Sequence, residues 1–94
     1  MKFEFEAGKT EKSLVRFRFN KFWGNVCISV NGKVRLRDFR MYSKELVASW
    51  DLTVGVAEQH RIRIEKIRPL LLAGFRSNTY KVYIDGKFFK EYAD

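Results

Sequence analysis

The feature that most constrains this chain is that it matches itself. Displaced by 47 positions, Phe3-Glu4-Phe5-Glu6-Ala7-Gly8 falls on Trp50-Asp51-Leu52-Thr53-Val54-Gly55, Glu11 falls on Glu58, and Val15-Arg16-Phe17 falls on Ile62-Arg63-Ile64. After a gap of seven residues the match resumes, with Val30-Asn31-Gly32-Lys33 on Ile84-Asp85-Gly86-Lys87. A repeated unit that closes on an Asn-Gly or Asp-Gly turn is a hairpin-built β unit occurring twice. The repeat constrains architecture far more than activity, because activity belongs to sites and not to folds.

Alternation of apolar and polar residues places the strands. Phe3-Glu4-Phe5-Glu6-Ala7 alternates strictly, as a half-buried strand does. Val15, Phe17 and Phe19 share one face of the next strand, with Arg16 and Arg18 on the other. Val26, Ile28 and Val30 follow facing inward, with Cys27 and Ser29 outward, and Asn31-Gly32 supplies the positive φ angles of a type I′ turn. Val34 and Leu36 are expected back on the core face, with Arg35 and Arg37 outside.

The second unit repeats this plan through Trp50–Val54, Ile62–Ile64, Tyr80–Ile84 and Phe88–Tyr92. Phe89 and Lys90 fall where Arg35 and Leu36 stand, which predicts a bulge in the last strand. Met41–Ser49 reads either as strand or as a short helix capped by Ser43 and running through Leu46-Val47-Ala48. The whole predicts one domain over 1–94, with repeat units 3–39 and 50–92. Its expected fold is an eight-stranded antiparallel β-sandwich, with a closed β-barrel as the alternative.

Several function classes are excluded by residue content. Cys27 and His60 are each alone of their kind, so no disulfide framework and no His/Cys metal centre forms within the chain. Parity sets Cys27 on an outer strand face and His60 in a turn, reading as a surface thiol and a solvated histidine and not as a nucleophile–base pair. The glycines lie scattered at turns and form no phosphate loop or dinucleotide fingerprint. No enzyme activity, metal or cofactor is expected. Met1-Lys2-Phe3-Glu4 does not resemble a signal peptide, and no apolar run approaches a membrane span, so the expectation is a cytoplasmic protein without a membrane partner.

The stretch Trp50-Asp51-Leu52-Thr53-Val54-Gly55, the alternating Ile62 and Ile64, Gly74-Phe75, Tyr80-Lys81-Val82-Tyr83-Ile84-Asp85-Gly86-Lys87 and Lys90-Glu91-Tyr92 together resemble the Fas apoptotic inhibitory molecule family. Arg37-Asp38-Phe39-Arg40-Met41-Tyr42 is similar to that family's Arg-x-x-Trp-Met-Phe segment, with Arg40 where the family has Trp. The resemblance spans about residues 25 to 93 and implies a single non-enzymatic antiparallel β-sandwich of a family whose members are longer. It does not carry over an apoptotic role, which depends on partners.

Two surfaces invite a functional reading. The first is apolar. The loop Pro69-Leu70-Leu71-Leu72-Ala73-Gly74-Phe75 is longer than its counterpart in the first unit, which holds Phe22 and Trp23. Leucines left in water forfeit roughly 1.5–3 kcal/mol of burial each, so Phe22, Trp23, Leu70, Leu71, Leu72 and Phe75 either cover the core or dock a partner. This predicts a protein-interaction module whose partner is another protein or a second copy of the chain. The second surface is cationic. Nineteen Lys and Arg against eleven Asp and Glu leave a net +8. Arg16, Arg18, Arg35, Arg37, Arg61 and Arg63 all read as outward strand positions, an alternative site for nucleic acid or another polyanion, with Tyr83 as a stacking platform.

Overall fold

The computed structural model describes residues 1–20, 24–39, 47–67 and 78–93. Strands β1 (Lys2–Ala7), β2 (Ser13–Asn20), β3 (Asn25–Val30) and β4 (Lys33–Phe39) form one antiparallel sheet in chain order. Strands β5 (Val47–Val54), β6 (His60–Ile67), β7 (Thr79–Ile84) and β8 (Lys87–Ala93) form a second sheet in the same way. The two meanders pack as a β-sandwich. No strand pairing joins one sheet to the other among the described residues, so the barrel alternative is not the architecture.

The repeat holds element by element, except that β5 begins two residues before the counterpart of the β1 start. Adding 47 to the bounds of β2 gives those of β6, and adding 54 to those of β3 and β4 gives those of β7 and β8. Registers repeat with the bounds: Phe3 lies opposite Phe17 as Trp50 lies opposite Ile64, and Val15 opposite Val30 as Ile62 opposite Ile84. Asn31 and Asp85 have φ angles of 51° and 53°, followed by Gly32 at 83° and Gly86 at 79°, the paired positive values of a type I′ turn. Both turn side chains accept from the strand two before: the Leu14 N–H donates to Asn31 Oδ1 and the Arg61 N–H to Asp85 Oδ1, each at 2.9 Å.

The core is what alternation requires. In β1, Phe3, Phe5 and Ala7 are buried while Lys2, Glu4 and Glu6 are exposed. Phe17, Ile28, Ile62, Ile64, Tyr80 and Val82 are fully enclosed between the sheets. The Phe17 ring lies 4.9 Å from Phe3 in its own sheet and 5.6 Å and 5.4 Å from Trp50 and Tyr80 in the other. Those distances suit attractive offset and tilted aromatic pairs.

Two local expectations are corrected by one cause. The predicted bulge in β8 is present, where the register shifts between Val82 and Tyr83, and β4 carries the same bulge opposite Ile28 and Ser29. The extra residue returns Leu36 to the inner face but turns Val34 outward opposite Ser29, leaving it 48 % exposed. The same shift removes Arg35 from the ladder. Its guanidinium instead donates to the Thr53 carbonyl of the other sheet at 3.0 Å. Within 41–49, Val47, Ala48 and Ser49 belong to β5, so the helix alternative fails there, and 41–46 lie outside the described residues.

Candidate anion-binding face

The six arginines singled out in the sequence do not share a face. Arg16, Arg18 and Arg37 lie on the outer face of the first sheet, Arg61 and Arg63 on the outer face of the second, and Arg35 spans the seam between them. The first face is the more cationic. Its register aligns Lys2 with Arg18, Arg18 with Cys27 and Cys27 with Arg37, a row running straight across all four strands. Neighbouring strands lie about 4.8 Å apart, so the cations follow one another across the sheet within a Debye length of about 10 Å. Among the described residues none of Lys2, Arg18 and Arg37 has a carboxylate within ion-pairing distance. Lys2, Arg18, Asn20, Asn25 and Cys27 also line a shallow depression of about 640 Å³.

The guanidinium groups of Arg16, Arg35 and Arg63 are engaged elsewhere. Arg16 Nε donates to Glu4 Oε2 at 3.0 Å, one row further along. Arg63 Nε donates to Asp51 Oδ1 at 2.9 Å, with Glu65 at 4.0 Å. The hydrogen bond that Arg63 donates to Asp51, and then that carboxylate's charge, raise the Arg63 pKa above its ordinary value. Tyr83 does face outward on the second sheet, beside a depression of about 760 Å³ that Arg61 and Arg63 also line. Its ring meets Phe88 edge-on at 5.9 Å.

His60 corrects the sequence reading. It opens β6 and is not a solvated turn histidine: its side chain is 20 % exposed, with Nε2 2.5 Å from Glu58 Oε2 and Nδ1 2.6 Å from Asp85 Oδ2. Cys27 is half-buried on the opposite sheet's outer face, as parity requires. Among the described residues no cluster of His, Cys, Asp and Glu is arranged to hold a metal, and no helix is long and apolar enough to cross a membrane.

Sequence reasoning missed the way the two units hold each other. The Glu58 carboxylate accepts the N–H groups of Lys9, Thr10 and Glu11 at 2.7, 2.8 and 3.2 Å, and the Glu11 carboxylate accepts those of Val56, Ala57 and Glu58 at 3.0, 2.7 and 2.8 Å. Each loop thus caps the other in a two-fold exchange. Hydrogen bonds to the charged form hold the Glu11 pKa below its ordinary value, those from the Glu58 and Val56 amides above all. His60 first, and then the three amides, bring Glu58 to about 2. The signal was present in the self-match, where Glu11 falls on Glu58 three residues after Gly8 and Gly55.

The apolar-tip residues Phe22, Trp23, Leu70, Leu71, Leu72 and Phe75 lie outside the described residues. No protein-family model and no curated protein matches this chain.

Proposed function

We propose that the protein is a non-enzymatic binding module of the cytoplasm that engages a phosphate-bearing polyanion, such as single-stranded nucleic acid, through the outer face of its first sheet. One comparison carries the reading. The row Lys2–Arg18–Cys27–Arg37 has as its repeat counterpart Ser49–Glu65–Lys81–Glu91, in the same register on the second sheet. Three positive charges and no negative one stand in the first row, one positive and two negative in the second. Identical backbone frames therefore present opposite charge, and only one suits an anion. The test is fluorescence anisotropy with a labelled single-stranded oligonucleotide across a salt series. Three phosphate contacts at a slope of about −0.7 each predict a log–log salt slope near −2. Arg18→Glu with Arg37→Glu should abolish binding, while Arg61→Glu with Arg63→Glu leaves most of it. No anisotropy change at low salt ends the proposal.

A second reading, protein contact, is favoured by the edge strand β8, where Phe88 and Phe89 remain 57 % and 46 % exposed. A non-enzymatic β-sandwich of this kind is also what the resemblance to the Fas apoptotic inhibitory molecule family implies. Self-association is its simplest form. Sedimentation separates the cases: a dimer that Phe88→Asp converts to a folded monomer supports protein contact, and a monomeric parent removes self-association.

A further inference from the structure

We propose that Glu58, His60 and Asp85 form a pH-sensitive latch that ties the loops of the two sheets together and loosens when the imidazole loses its proton. The geometry demands a charged ring. Both ring nitrogens sit against carboxylate oxygens, at 2.5 Å and 2.6 Å, and an imidazole offers two N–H donors only when protonated. Loss of the proton turns one nitrogen lone pair toward a carboxylate. Glu58 is also the group that accepts the Lys9, Thr10 and Glu11 amides from the first sheet, so the ring's protonation bears on the contact between the sheets.

The charged groups around the ring come from four segments. Glu58 belongs to the β5–β6 loop and Asp85 to the β7–β8 turn, both touching it. Glu11 of the β1–β2 loop turns its carboxylate to the Val56, Ala57 and Glu58 amides and interacts with Glu58 through space. Arg61, the next residue of β6, attracts Asp85. The Glu58 hydrogen bond, then the Asp85 one, raise the His60 pKa above its ordinary 6.5. A raised folded-state value gives stabilisation that is complete below 6.5 and lost as pH climbs through the folded pKa above it. Glu58, held near 2, stays ionised throughout that window.

The repeat provides an internal control. The first unit has Ser13 and Asn31 where the second has His60 and Asp85, so the Glu11 half of the clamp contains no histidine. His60 is the chain's one histidine, and its ring protons can be followed by NMR without assignment. The titration should give a pKa above 6.5. Amide exchange measured from about pH 5 to about pH 9 spans the window in which a histidine charge changes. Expressed as protection factors, the Lys9, Thr10 and Glu11 amides should lose protection with rising pH, while those of Val56 and Ala57 change less. His60→Gln should flatten that difference. A His60 pKa at or below 6.5, equal responses of the two amide sets, or an unchanged pH dependence in His60→Gln each overturns the latch. If His60→Gln fails to fold, the wild-type titration and the two amide sets decide the question alone.

Discussion

Alanine at Gly8 or Gly55 is the most discriminating perturbation of this fold, because the repeat supplies its own controls. Gly8 has φ of +110° and Gly55 +91°, and a Cβ at either would stand 2.1 Å or 2.0 Å from the carbonyl oxygen of Glu11 or Glu58. Gly32 and Gly86 also have positive φ, but a Cβ there meets nothing within 4 Å. Alanine at Gly32 or Gly86 therefore incurs only the left-handed strain, roughly 1–2 kcal/mol. At Gly8 or Gly55 that strain is joined by the displacement of backbone in a loop that holds three engaged amides, comparable to overpacking at about 1–3 kcal/mol. The expected losses are about 2–5 kcal/mol for Gly8→Ala and Gly55→Ala alike, against a total stability of about 5–14 kcal/mol for a chain of this length. Urea unfolding of the four single variants measures it. Equal losses at all four positions would refute the crowding argument, and a large difference between Gly8 and Gly55 would refute the equivalence of the two loops.

Trp50→Phe removes the indole N–H that donates to Asp38 Oδ2 at 2.8 Å while keeping most of the ring's burial, and should cost roughly 1–3 kcal/mol in denaturant melts. Glu58 has a folded pKa of about 2 against an ordinary 4.5, so its stabilising contribution is present above 4.5 and fades as pH falls through 2. Acid unfolding monitored by tryptophan fluorescence should accordingly lose part of its steepness in Glu58→Gln. Glu65→Arg combined with Glu91→Arg converts the second sheet's row to cations and should give the folded chain a second anion site, raising the oligonucleotide stoichiometry measured by calorimetry. An unchanged stoichiometry would show that a row of cations on this frame is not sufficient for binding.

Strand positions were legible because one physical rule, inside or outside with a period of two, sets them wherever a face is buried. The turns were legible because Asn-Gly and Asp-Gly are among the few pairs that tolerate paired positive φ cheaply. What alternation concealed was anything that breaks its period. The β8 bulge announced itself by setting Lys90 on an apolar parity, whereas the β4 bulge hid behind Leu36 and Val34, which suit either register. Reading through it put Val34 inside and Arg35 on the sheet face. The site was less legible still. Six outward arginines are a statement about strand parity, and parity says nothing of which sheet a strand joins or which carboxylate lies opposite. Arg63 and Arg18 look alike in sequence, yet one is held by Asp51 and the other stands in a row that contains no carboxylate. His60 escaped because one of its two partners, Asp85, lies 25 positions away and is reached only through the fold.

The two units meet each other along two seams of unlike chemistry. The seam where β1 meets β8 is aromatic: Phe3 stacks on Tyr92 at 4.0 Å and Phe5 leans on Phe89 at 5.7 Å. The seam where β5 meets β4 uses the corresponding positions differently, with Trp50 donating to Asp38 and Arg35 to the Thr53 carbonyl. Two first units packed together would set Asp38 against Phe3, a half-buried carboxylate facing a ring with no donor, at the cost of an unmet charged hydrogen bond. Two second units would set Tyr92 against Trp50 and lose the close stack that Phe3 provides. Each unit's seam residues are thus matched to those of the other. That mutual fit fixes which outer face belongs to which sheet, and so keeps the cationic row of the first sheet on the opposite side of the molecule from the acidic row of the second.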